Sequence, residues 1–401
     1  MTVTAIIAEY DPFHNGHQLL ARAARQNGGE DTGVVAILSG NWVQRGEPAL
    51  LPKGERTRAA LLSGVDLVVE LPLAYAMATA ERFSYGGVAL AEALGCVDFL
   101  AFGSESGALS PLERCAAALL DPAVDAALRE GLKAGLSYAA ARQRAVAARL
   151  GEEAAAPLSR PNDILAVQYL WELRRRGSAI RPFTIPRRGA GHHDPQGDRE
   201  TATASASWLR ERFLAGDREA VLPYLPPASR EALERAAETG RWADPARLEL
   251  PLLAALRRME PRDFAALPDL SEGLERRLWA AAGRGTSLPE VLELAVTKRY
   301  PRARLRRILL AAYLGIPRDA GRQPPPYLRV LGMNRTGAKI LAKAKRTAAL
   351  PVSHSLARLE RLGGRAGETA RLEARAADLY GLLFQKPAPR GTDYTNGIII
   401  V

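Results

Sequence analysis

The sequence predicts an α/β fold with a doubly wound parallel sheet, followed by a mainly α-helical C-terminal part. An apolar run, Val3–Ala8, is too short for a helix and is bounded by Pro12 and Gly16, which is typical of a buried first strand. Further short apolar runs then alternate with helical segments, as in βαβ units. From about Gly216 the strand-like runs stop, and the chain reads as helices joined at proline-rich positions.

The elements of the first half follow in order. After the first strand a helix begins at Asn15, and further strands are predicted over 34–38, 65–71, 97–102 and 183–186. A loop over 41–48 follows the second strand and carries an aromatic and a cation, Trp42 and Arg45, next to the expected ligand edge. Helices are predicted over 53–63, an amphipathic segment that carries Lys53, Arg56 and Arg58, and over 81–94 and 164–176. The Ala-rich segment at about 108–158 is predicted to be a helical insertion. We therefore expect two domains, residues 1–220 with the sheet and residues 221–401 with the helices.

Composition restricts the class of protein. The chain has 401 residues, 47% hydrophobic and 25% charged, which is typical of a globular protein that buries a core. Its two cysteines, Cys96 and Cys115, form no C-x-x-C pair, which argues against a zinc ribbon or a disulfide framework and suits a reducing cytoplasm. The first residues lead directly into a strand, and the most apolar stretch, 65–80, is interrupted by acids and a proline. We expect no signal peptide, no membrane span and no protein metal site.

Two histidines follow the first strand in an H-x-G-H pattern. His14 and His17 are three residues apart, so they share a face of the first helical turn. A helix N-terminus behind a first strand is where α/β folds bind phosphate, and Gly16 leaves room for a nucleotide against the backbone. Ordinary surface histidines are the alternative. The pattern is neither a Walker A loop nor a dinucleotide fingerprint, and it resembles the signature of HIGH-type nucleotidyltransferases, which predicts an ATP site.

A second motif lies late in the predicted sheet domain. Ser207 and Arg210 form a Ser-x-x-Arg turn at the start of a helix. Ser205 or Ser207 as a simple N-cap is the alternative. Nucleotidyltransferases hold the β- and γ-phosphates with such a turn, so the two motifs in this order favour an ATP site more than either does alone.

Positive charge is concentrated in one segment. The net charge is +11, and residues 291–350 contain 14 Lys and Arg against two acids, so the rest of the chain is close to neutral. A solvated helix face is the ordinary interpretation of such a run, but its density favours RNA binding. The residues predicted to bind RNA are Arg302, Arg304, Arg306, Arg307, Arg335, Lys339, Lys343, Lys345 and Arg346.

Further segments resemble the bacterial tRNA(Met) cytidine acetate ligases. The resemblance begins with Glu9–His17 and includes Gln44–Pro48, a run specific to this family rather than to nucleotidyltransferases at large. It continues through the segments 39–40, 65–72, 102–105, 161–165, 187–191, 327–332 and 393–395. It therefore covers the whole chain, and it implies a Rossmann-like nucleotidyltransferase domain followed by a basic, tRNA-binding helical domain.

The resemblance also implies an activity and a site. The activity is the formation of N4-acetylcytidine at the wobble base of elongator tRNA(Met) from free acetate and ATP. The family often has a hydrophobic residue at the position of Arg188 and an aromatic one at that of His192. The implied ATP site consists of Ile7, Ala8, Glu9, Tyr10, Asp11, Pro12, Phe13, His14, Asn15, Gly16, His17, Gln18, Leu19, Leu20, Gly103, Asn162, Arg187 and Arg188.

The expected mechanism needs no protein nucleophile. An acetate oxygen attacks the α-phosphate of ATP, pyrophosphate leaves, and the amine of cytidine then attacks the acetyl-adenylate. Fixed donors stabilise the charge that grows on the phosphates. We assign His14 and His17 to the phosphates, and Arg187, Ser207 and Arg210 to the pyrophosphate end together with nucleotide-bound Mg²⁺.

Two other functions are compatible with parts of the sequence. A metabolite adenylyltransferase of the nicotinamide-mononucleotide or pantetheine-phosphate type would share the ATP site, but gives no reason for the basic helical half. A non-catalytic RNA-binding protein with a regulatory nucleotide site would explain that half and leave the histidines without a role.

Overall fold

The computed structural model describes residues 1–187, 197–198, 201–271 and 273–401. It confirms the predicted α/β class, because a mostly parallel sheet is surrounded by helices. The strands are β1 (Thr2–Ala8), β2 (Thr32–Ser39), β3 (Trp42–Val43), β4 (Glu47–Pro48), β5 (Leu67–Leu71), β6 (Phe99–Ser104), β7 (Arg181–Pro186), β8 (Leu328–Met333), β9 (Val352–Ser353) and β10 (Ile399–Ile400).

Helices connect most of these strands. Four of them, α5 to α8, fill the predicted insertion between β6 and α9. In chain order the helices are α1 (Asn15–Asn27), α2 (Lys53–Leu62), α3 (Leu73–Ala76), α4 (Ala80–Ala93), α5 (Leu109–Ala118), α6 (Pro122–Lys133), α7 (Tyr138–Leu150), α8 (Glu152–Ala155), α9 (Pro161–Arg176), α10 (Ala206–Leu214), α11 (Arg218–Val221), α12 (Pro227–Thr239), α13 (Glu249–Arg257), α14 (Pro261–Ala265), α15 (Leu274–Arg284), α16 (Leu288–Ala295), α17 (Arg302–Leu314), α18 (Arg335–Thr347), α19 (Leu356–Glu360), α20 (Gly364–Gly381) and α21 (Thr392–Thr395). Among the described residues, no helix combines the length and apolar composition needed to cross a membrane.

The order of strands in the sheet creates a crevice beside β1. The main sheet runs β10-β8-β5-β2-β1-β6-β7, and β5, β2, β1, β6 and β7 are parallel. The chain moves outward from β1 to β5 on one side, then returns to β6 on the other side. Connections therefore leave β1 and β6 in opposite directions, and open α/β sheets bind ligands at the carboxyl ends of such a strand pair.

Alternation along β1 divides the core between the two faces of the sheet. Val3 and Ala5 pack into the core under α4, α5 and α9, whereas Ile6 and Ala8 pack into the core under α1 and α2. A strand that is buried on both faces reads as the continuous apolar run seen in the sequence. A third core joins the C-terminal helices to the hairpin β3–β4 through the buried side chain of Trp42.

The prediction that strands stop near Gly216 is wrong. Strand β8 pairs antiparallel with β5, and β10 pairs with β8, so the C-terminal part contributes to the same sheet. Leu328–Met333 is an apolar run that begins just after three consecutive prolines, which is typical of a strand start. Its position inside the basic segment, among lysines and arginines that suit helices, concealed it.

A buried ionic cluster fastens the C-terminal tail to this sheet. Lys53 at the start of α2 contacts Glu70 of β5 at 2.6 Å and Asp393 of α21 at 2.8 Å. Arg329 of β8 donates to both carboxylates, at 2.9 Å to Glu70 and 2.7 Å to Asp393. These four side chains, which we call the ionic cluster, are all buried. The Asp393-Tyr394-Thr395 run therefore has a structural role.

Candidate active site

The predicted site residues converge on the crevice between β1 and β6. Glu9 to Asp11 lie directly after β1, Gly103 is near the end of β6, and Arg187 follows β7. A Cβ built on Gly103 would lie 3.2 Å from Cγ of Arg187. A side chain at this position would therefore press against the arginine, which explains why glycine suits the end of this strand.

The two histidines are held against each other at the start of α1. His14 is the N-cap residue of α1, and its backbone N–H donates to Nδ1 of His17 at 3.2 Å. The two rings stack with their centroids 3.6 Å apart. Because Nδ1 of His17 accepts this hydrogen bond, the neutral ring carries its proton on Nε2, the nitrogen left for a ligand.

Both imidazoles are neutral at physiological pH. Burial, followed by the nearby positive charge of Arg187, lowers the pKa of His14 to about 3. Burial and the positive charges of His14 and Arg187 lower the pKa of His17 well below its ordinary value. Within the described part of the chain, Nδ1 of His14 is buried without a hydrogen-bond partner. The pair therefore offers ring N–H donors to an anion rather than a second pair of fixed charges.

A cavity opens on each side of this histidine pair. The outer lobe, about 490 Å³, lies between α1 and the end of β7, where Gly16 and Ile185 line it. The inner lobe, about 440 Å³, lies over the end of β1, where Glu9 and Tyr169 line it. The residues that line both lobes are His14, His17, Leu20, Gly103 and Arg187. An elongated ligand that passes the histidines would occupy both lobes.

A chain of hydrogen bonds orients Arg187 toward the site. Glu105 Oε1 accepts the side-chain amide of Asn162 at 2.6 Å, and its Oε2 accepts the backbone N–H of Asp163 at 2.7 Å. Asn162 Oδ1 in turn accepts from the guanidinium of Arg187 at 3.1 Å. The amide orientation is therefore determined by its two partners, and Asn162 both lines the inner lobe and orients Arg187.

The Ser-x-x-Arg turn lies on the wall of the inner lobe. Ser205 is the N-cap of α10 and accepts the backbone N–H of Trp208 at 3.2 Å, whereas Ser207 is in the first turn and lines the lobe. Arg210 also lines the lobe, where it donates to the carbonyl oxygen of Asp11 at 3.1 Å and to Glu47 at 3.4 Å. The capping role therefore belongs to Ser205 and leaves Ser207 facing the cavity.

The segment from Ile7 to Leu20 is divided between lining and support. Ten of its residues line one or both lobes, namely Ile7, Ala8, Glu9, Tyr10, Asp11, His14, Gly16, His17, Leu19 and Leu20. Pro12, Phe13, Asn15 and Gln18 are not among the described lining residues. Phe13 packs on Tyr10, and Asn15 donates to the carbonyl of Ala202 at 2.9 Å. Arg188 and His192 lie outside the described residues.

Sequence reasoning missed the contributions of other elements to the inner lobe. The loop 41–48 was expected to place an aromatic and a cation near the ligand, but Trp42 is buried in the C-terminal core and donates to the carbonyl of Ala376 at 3.0 Å. Arg45 of the same loop does line the lobe. Arg56, expected on an amphipathic helix surface, is fully buried and donates to the backbone carbonyls of Leu51 and Glu9. No pattern in the sequence indicates that backbone carbonyls surround this arginine.

The two basic helices lie at opposite edges of the sheet. Helix α17 packs against the hairpin β3–β4 beside the inner lobe, where Arg306 pairs with Glu47 and Arg304 donates to the carbonyl of Asp269 at 2.6 Å. Helix α18 crosses the amino ends of the parallel strands, since Lys343 donates to the carbonyl of Met1 at 3.4 Å. The exposed cations of α18 are Arg335, Lys339, Lys345 and Arg346. The remaining α17 cations are Arg302, which is exposed and pairs with Glu293, and Arg307, which lies near Asp269.

Within the described ranges, no group of three or more His, Cys, Asp or Glu residues has the arrangement of a metal site. Both cysteines are buried and reduced in the structure. A cation that enters this site with a nucleotide would be held chiefly by the phosphates.

Known proteins are similar in sequence to this chain over all or nearly all of their length. The family model described as HIGH Nucleotidyl Transferase matches residues 1–394. The tRNA(Met) cytidine acetate ligase of Thermoanaerobacter sp. (strain X514) is 35% identical over 409 aligned positions that cover 100% of both chains. The ligase of the same name from Bacillus subtilis (strain 168) is 34% identical and covers 96% of this chain and 94% of its own.

Solved structures extend the likeness to three dimensions. The crystal structure of Thermotoga maritima TmcAL bound with alpha-thio ATP superposes with a TM-score of 0.92 at 30% identity and covers 100% of both chains. The apo form of the same protein gives a TM-score of 0.93 at 31% identity, again over 100% of both chains. The likeness therefore includes a protein crystallised with an ATP analogue.

Proposed function

This chain belongs to the HIGH nucleotidyl transferase family and, within it, to the tRNA(Met) cytidine acetate ligases, and from that membership we propose its function. It activates acetate with ATP and transfers the acetyl group to N4 of the wobble cytidine of elongator tRNA(Met). The observation that carries the proposal is the neutral histidine pair between two lobes, in a chain that matches these ligases from end to end. A tRNA substrate would place the enzyme in the cytoplasm.

ATP would occupy both lobes, with its phosphates at their shared wall. The outer lobe is the more apolar side of the site, and Gly16 there lets a nucleoside approach the backbone of α1. The triphosphate then meets His14, His17 and Arg187, which belong to both lobes. Nucleotide-bound Mg²⁺ would arrive as part of the substrate. The inner lobe then holds the pyrophosphate end of ATP, where Ser207 and Arg210 line it, and also admits acetate and the incoming cytidine.

The first step is the formation of acetyl-adenylate beside the histidine pair and Arg187. An acetate oxygen in the inner lobe attacks the α-phosphorus in line, the bond to pyrophosphate breaks, and acetyl-adenylate remains. Negative charge grows on the phosphate oxygens in this step, so the ring N–H donors and Arg187 bind the transition state more tightly than the ground state. Ser207 and Arg210 lie across the inner lobe, where they suit the leaving pyrophosphate.

The second step transfers the acetyl group. The exocyclic amine of cytidine attacks the acetyl carbon, the carbon–oxygen bond to AMP breaks, and N4-acetylcytidine and AMP result. Buried aromatic side chains, Phe83, Phe102 and Tyr169, form one wall of the inner lobe and would shield the mixed anhydride from water on that side.

A direct assay tests the proposed function. Labelled acetate, MgATP and an elongator tRNA(Met) transcript should yield label in N4-acetylcytidine, whereas a transcript with uridine at the wobble position should stay unlabelled. Label that depends on a different small acid or on a phosphate ester would favour a metabolite adenylyltransferase. Salt-dependent tRNA binding without incorporation of any acyl group would favour a non-catalytic RNA-binding protein.

We propose that the tRNA approaches along α17 rather than α18. Arg302 and Arg306 are one turn apart on the same face of α17, and Arg306 contacts the hairpin that lines the inner lobe. Helix α18 is at the other end of strands about six residues long, roughly 20 Å away. Its exposed cations would contact only phosphates far from the reacting base.

A paired set of variants separates the two helices. The double substitution Arg302→Ala and Arg306→Ala should weaken tRNA binding and lower the slope of log affinity against log salt by about 1.4–1.8, the value for two phosphate contacts. The matched double substitution Lys339→Ala and Lys345→Ala should change the slope by less than half as much. A larger change for the α18 pair would show that α18 provides the main tRNA surface.

A further inference from the structure

The activation step described above assigns no role to one carboxylate of the inner lobe. Glu9 follows β1 directly and lines the lobe. Its Oε1 accepts the backbone N–H of Gln44 at 2.7 Å, and its own carbonyl oxygen accepts from the guanidinium of Arg56 at 2.5 Å. These contacts hold the backbone and one carboxylate oxygen of Glu9 in place, and the residue lines the lobe.

The charge of Glu9 is unfavourable for the first substrate. ATP brings several negative charges to the wall beside it, and a carboxylate in a partly dry cavity repels them. The groups that face Glu9 are Asp11 from the same loop, Arg45 from the hairpin, Arg210 from α10 and Tyr169 from α9. The two arginines offset the repulsion. A carboxylate held here at such a cost suits the other substrate, which is an amine.

The protonation of Glu9 is matched to that task. Burial, assisted by Asp11, raises the pKa of Glu9 above its ordinary value, although the Gln44 N–H and the two arginines act in the opposite direction. A raised pKa brings a carboxylate closer to the working pH, where a general base is most effective.

We propose that Glu9 accepts the proton that the cytidine amine loses during acetyl transfer, an inference that rests on the proposed function. As N4 bonds to the acetyl carbon, the nitrogen becomes positively charged, the carbon–oxygen bond to AMP breaks, and one N4 proton moves to the Glu9 carboxylate. AMP leaves as the anion, and Glu9 returns the proton to solvent when the product departs. The step uses no group beyond the two substrates and this side chain.

The test separates the two half-reactions in Glu9→Gln. The amide oxygen of glutamine can still accept the Gln44 N–H and keep the lobe in shape, so acetate-dependent exchange of pyrophosphate into ATP should change far less than acetyl transfer does. Transfer from preformed acetyl-adenylate to tRNA should fall by about 10²–10⁴, the range for loss of a general base. The wild-type transfer rate should also rise with pH through the pKa of Glu9, and the variant should lose that rise.

A matched variant excludes a purely electrostatic role. Glu47→Gln removes a carboxylate that also contacts Arg210 but belongs to the hairpin, and it should slow transfer by less than tenfold. Equal losses of exchange and transfer in Glu9→Gln, or an equal loss of transfer in Glu47→Gln, would overturn the proposal. If wild type itself shows no exchange with acetate, the proposed function fails instead, so the two failures are distinguishable.

Discussion

Two regions of this molecule bury ionisable groups, and they do so in opposite ways. In the ionic cluster, Lys53 and Arg329 contact Glu70 and Asp393 at 2.6–2.9 Å, so each charge faces an opposite one. At the histidine pair, the charge of Arg187 acts on both rings and has the sign that opposes their protonation. Paired buried charges hold the elements of a fold together, whereas buried donors without an acceptor are available to bind a ligand.

The lowered pKa values of the histidines also determine how their contribution to stability changes with pH. A histidine whose pKa is lowered in the folded state contributes stability above its unfolded pKa of about 6.5, and this contribution is lost as pH falls toward the folded value. The histidine site is therefore in its active, neutral form at physiological pH. It protonates only under acid conditions that also favour unfolding.

The largest expected effect on stability lies in the ionic cluster. Arg329→Met removes the partner of Glu70 and Asp393 and leaves two carboxylates beside a single lysine, so the free energy of unfolding should fall by about 3–5 kcal/mol. Urea titration followed by circular dichroism measures it. Arg58→Met, an exposed arginine of α2, is the matched control and should change stability by less than about 0.5 kcal/mol. A loss below 1 kcal/mol in Arg329→Met would contradict the assignment.

At the histidine site we expect a large effect on activity and only a small effect on stability. His17→Ala should raise the activation free energy of acetate-dependent pyrophosphate exchange by about 2–4 kcal/mol, because a donor to the phosphates is lost. Its free energy of unfolding should change by less than about 1 kcal/mol, since no paired charge is removed. Gln18→Ala, the next residue of α1, lines neither lobe among the described residues and should retain exchange. Normal exchange in His17→Ala would remove the histidine from the mechanism.

A smaller effect on stability is expected at Glu373, which lies near the ionic cluster. Burial and the nearby charge of Glu70 raise the pKa of Glu373 to about 8, and its Oε1 accepts the backbone N–H of Leu73 at 2.6 Å. A raised folded-state pKa stabilises the protein at low pH, and this stabilisation is lost as pH rises from about 4.5 through about 8. Glu373→Gln keeps the acceptor and cannot ionise.

The unfolding free energy of Glu373→Gln should therefore exceed that of wild type by an amount that grows by about 2–3 kcal/mol between pH 6 and pH 9. Chemical denaturation at the two pH values measures the difference. Parallel stability curves for the two proteins from pH 6 to pH 9 would show that Glu373 is ionised throughout.

Local patterns predicted the first half of the fold and the centre of the site. The Val3–Ala8 run and the H-x-G-H motif are local, so β1 and the start of α1 could be placed from the sequence. The strand β8 could not, because its apolar run lies among cations and pairs with β5 more than 250 residues earlier.

The roles of single charged residues were least predictable. The spacing of Lys53 and Arg56 predicts a solvated helix face, yet both are buried because Glu70, Asp393 and backbone carbonyls meet them there. Arg304 likewise carries the charge pattern of an RNA-binding helix but donates to the carbonyl oxygen of Asp269. Whether a cation is solvated, paired or free for a ligand depends on residues distant in sequence.

The most direct test of the account is pyrophosphate exchange into ATP by the wild-type protein with acetate and Mg²⁺ and without tRNA. The account predicts exchange that requires acetate, because the histidine pair and the inner lobe are complete before tRNA binds. It also predicts that formate and butyrate support less exchange than acetate. Absence of exchange under these conditions, with intact binding of ATP, would contradict the assignment of the histidine site to acetate activation.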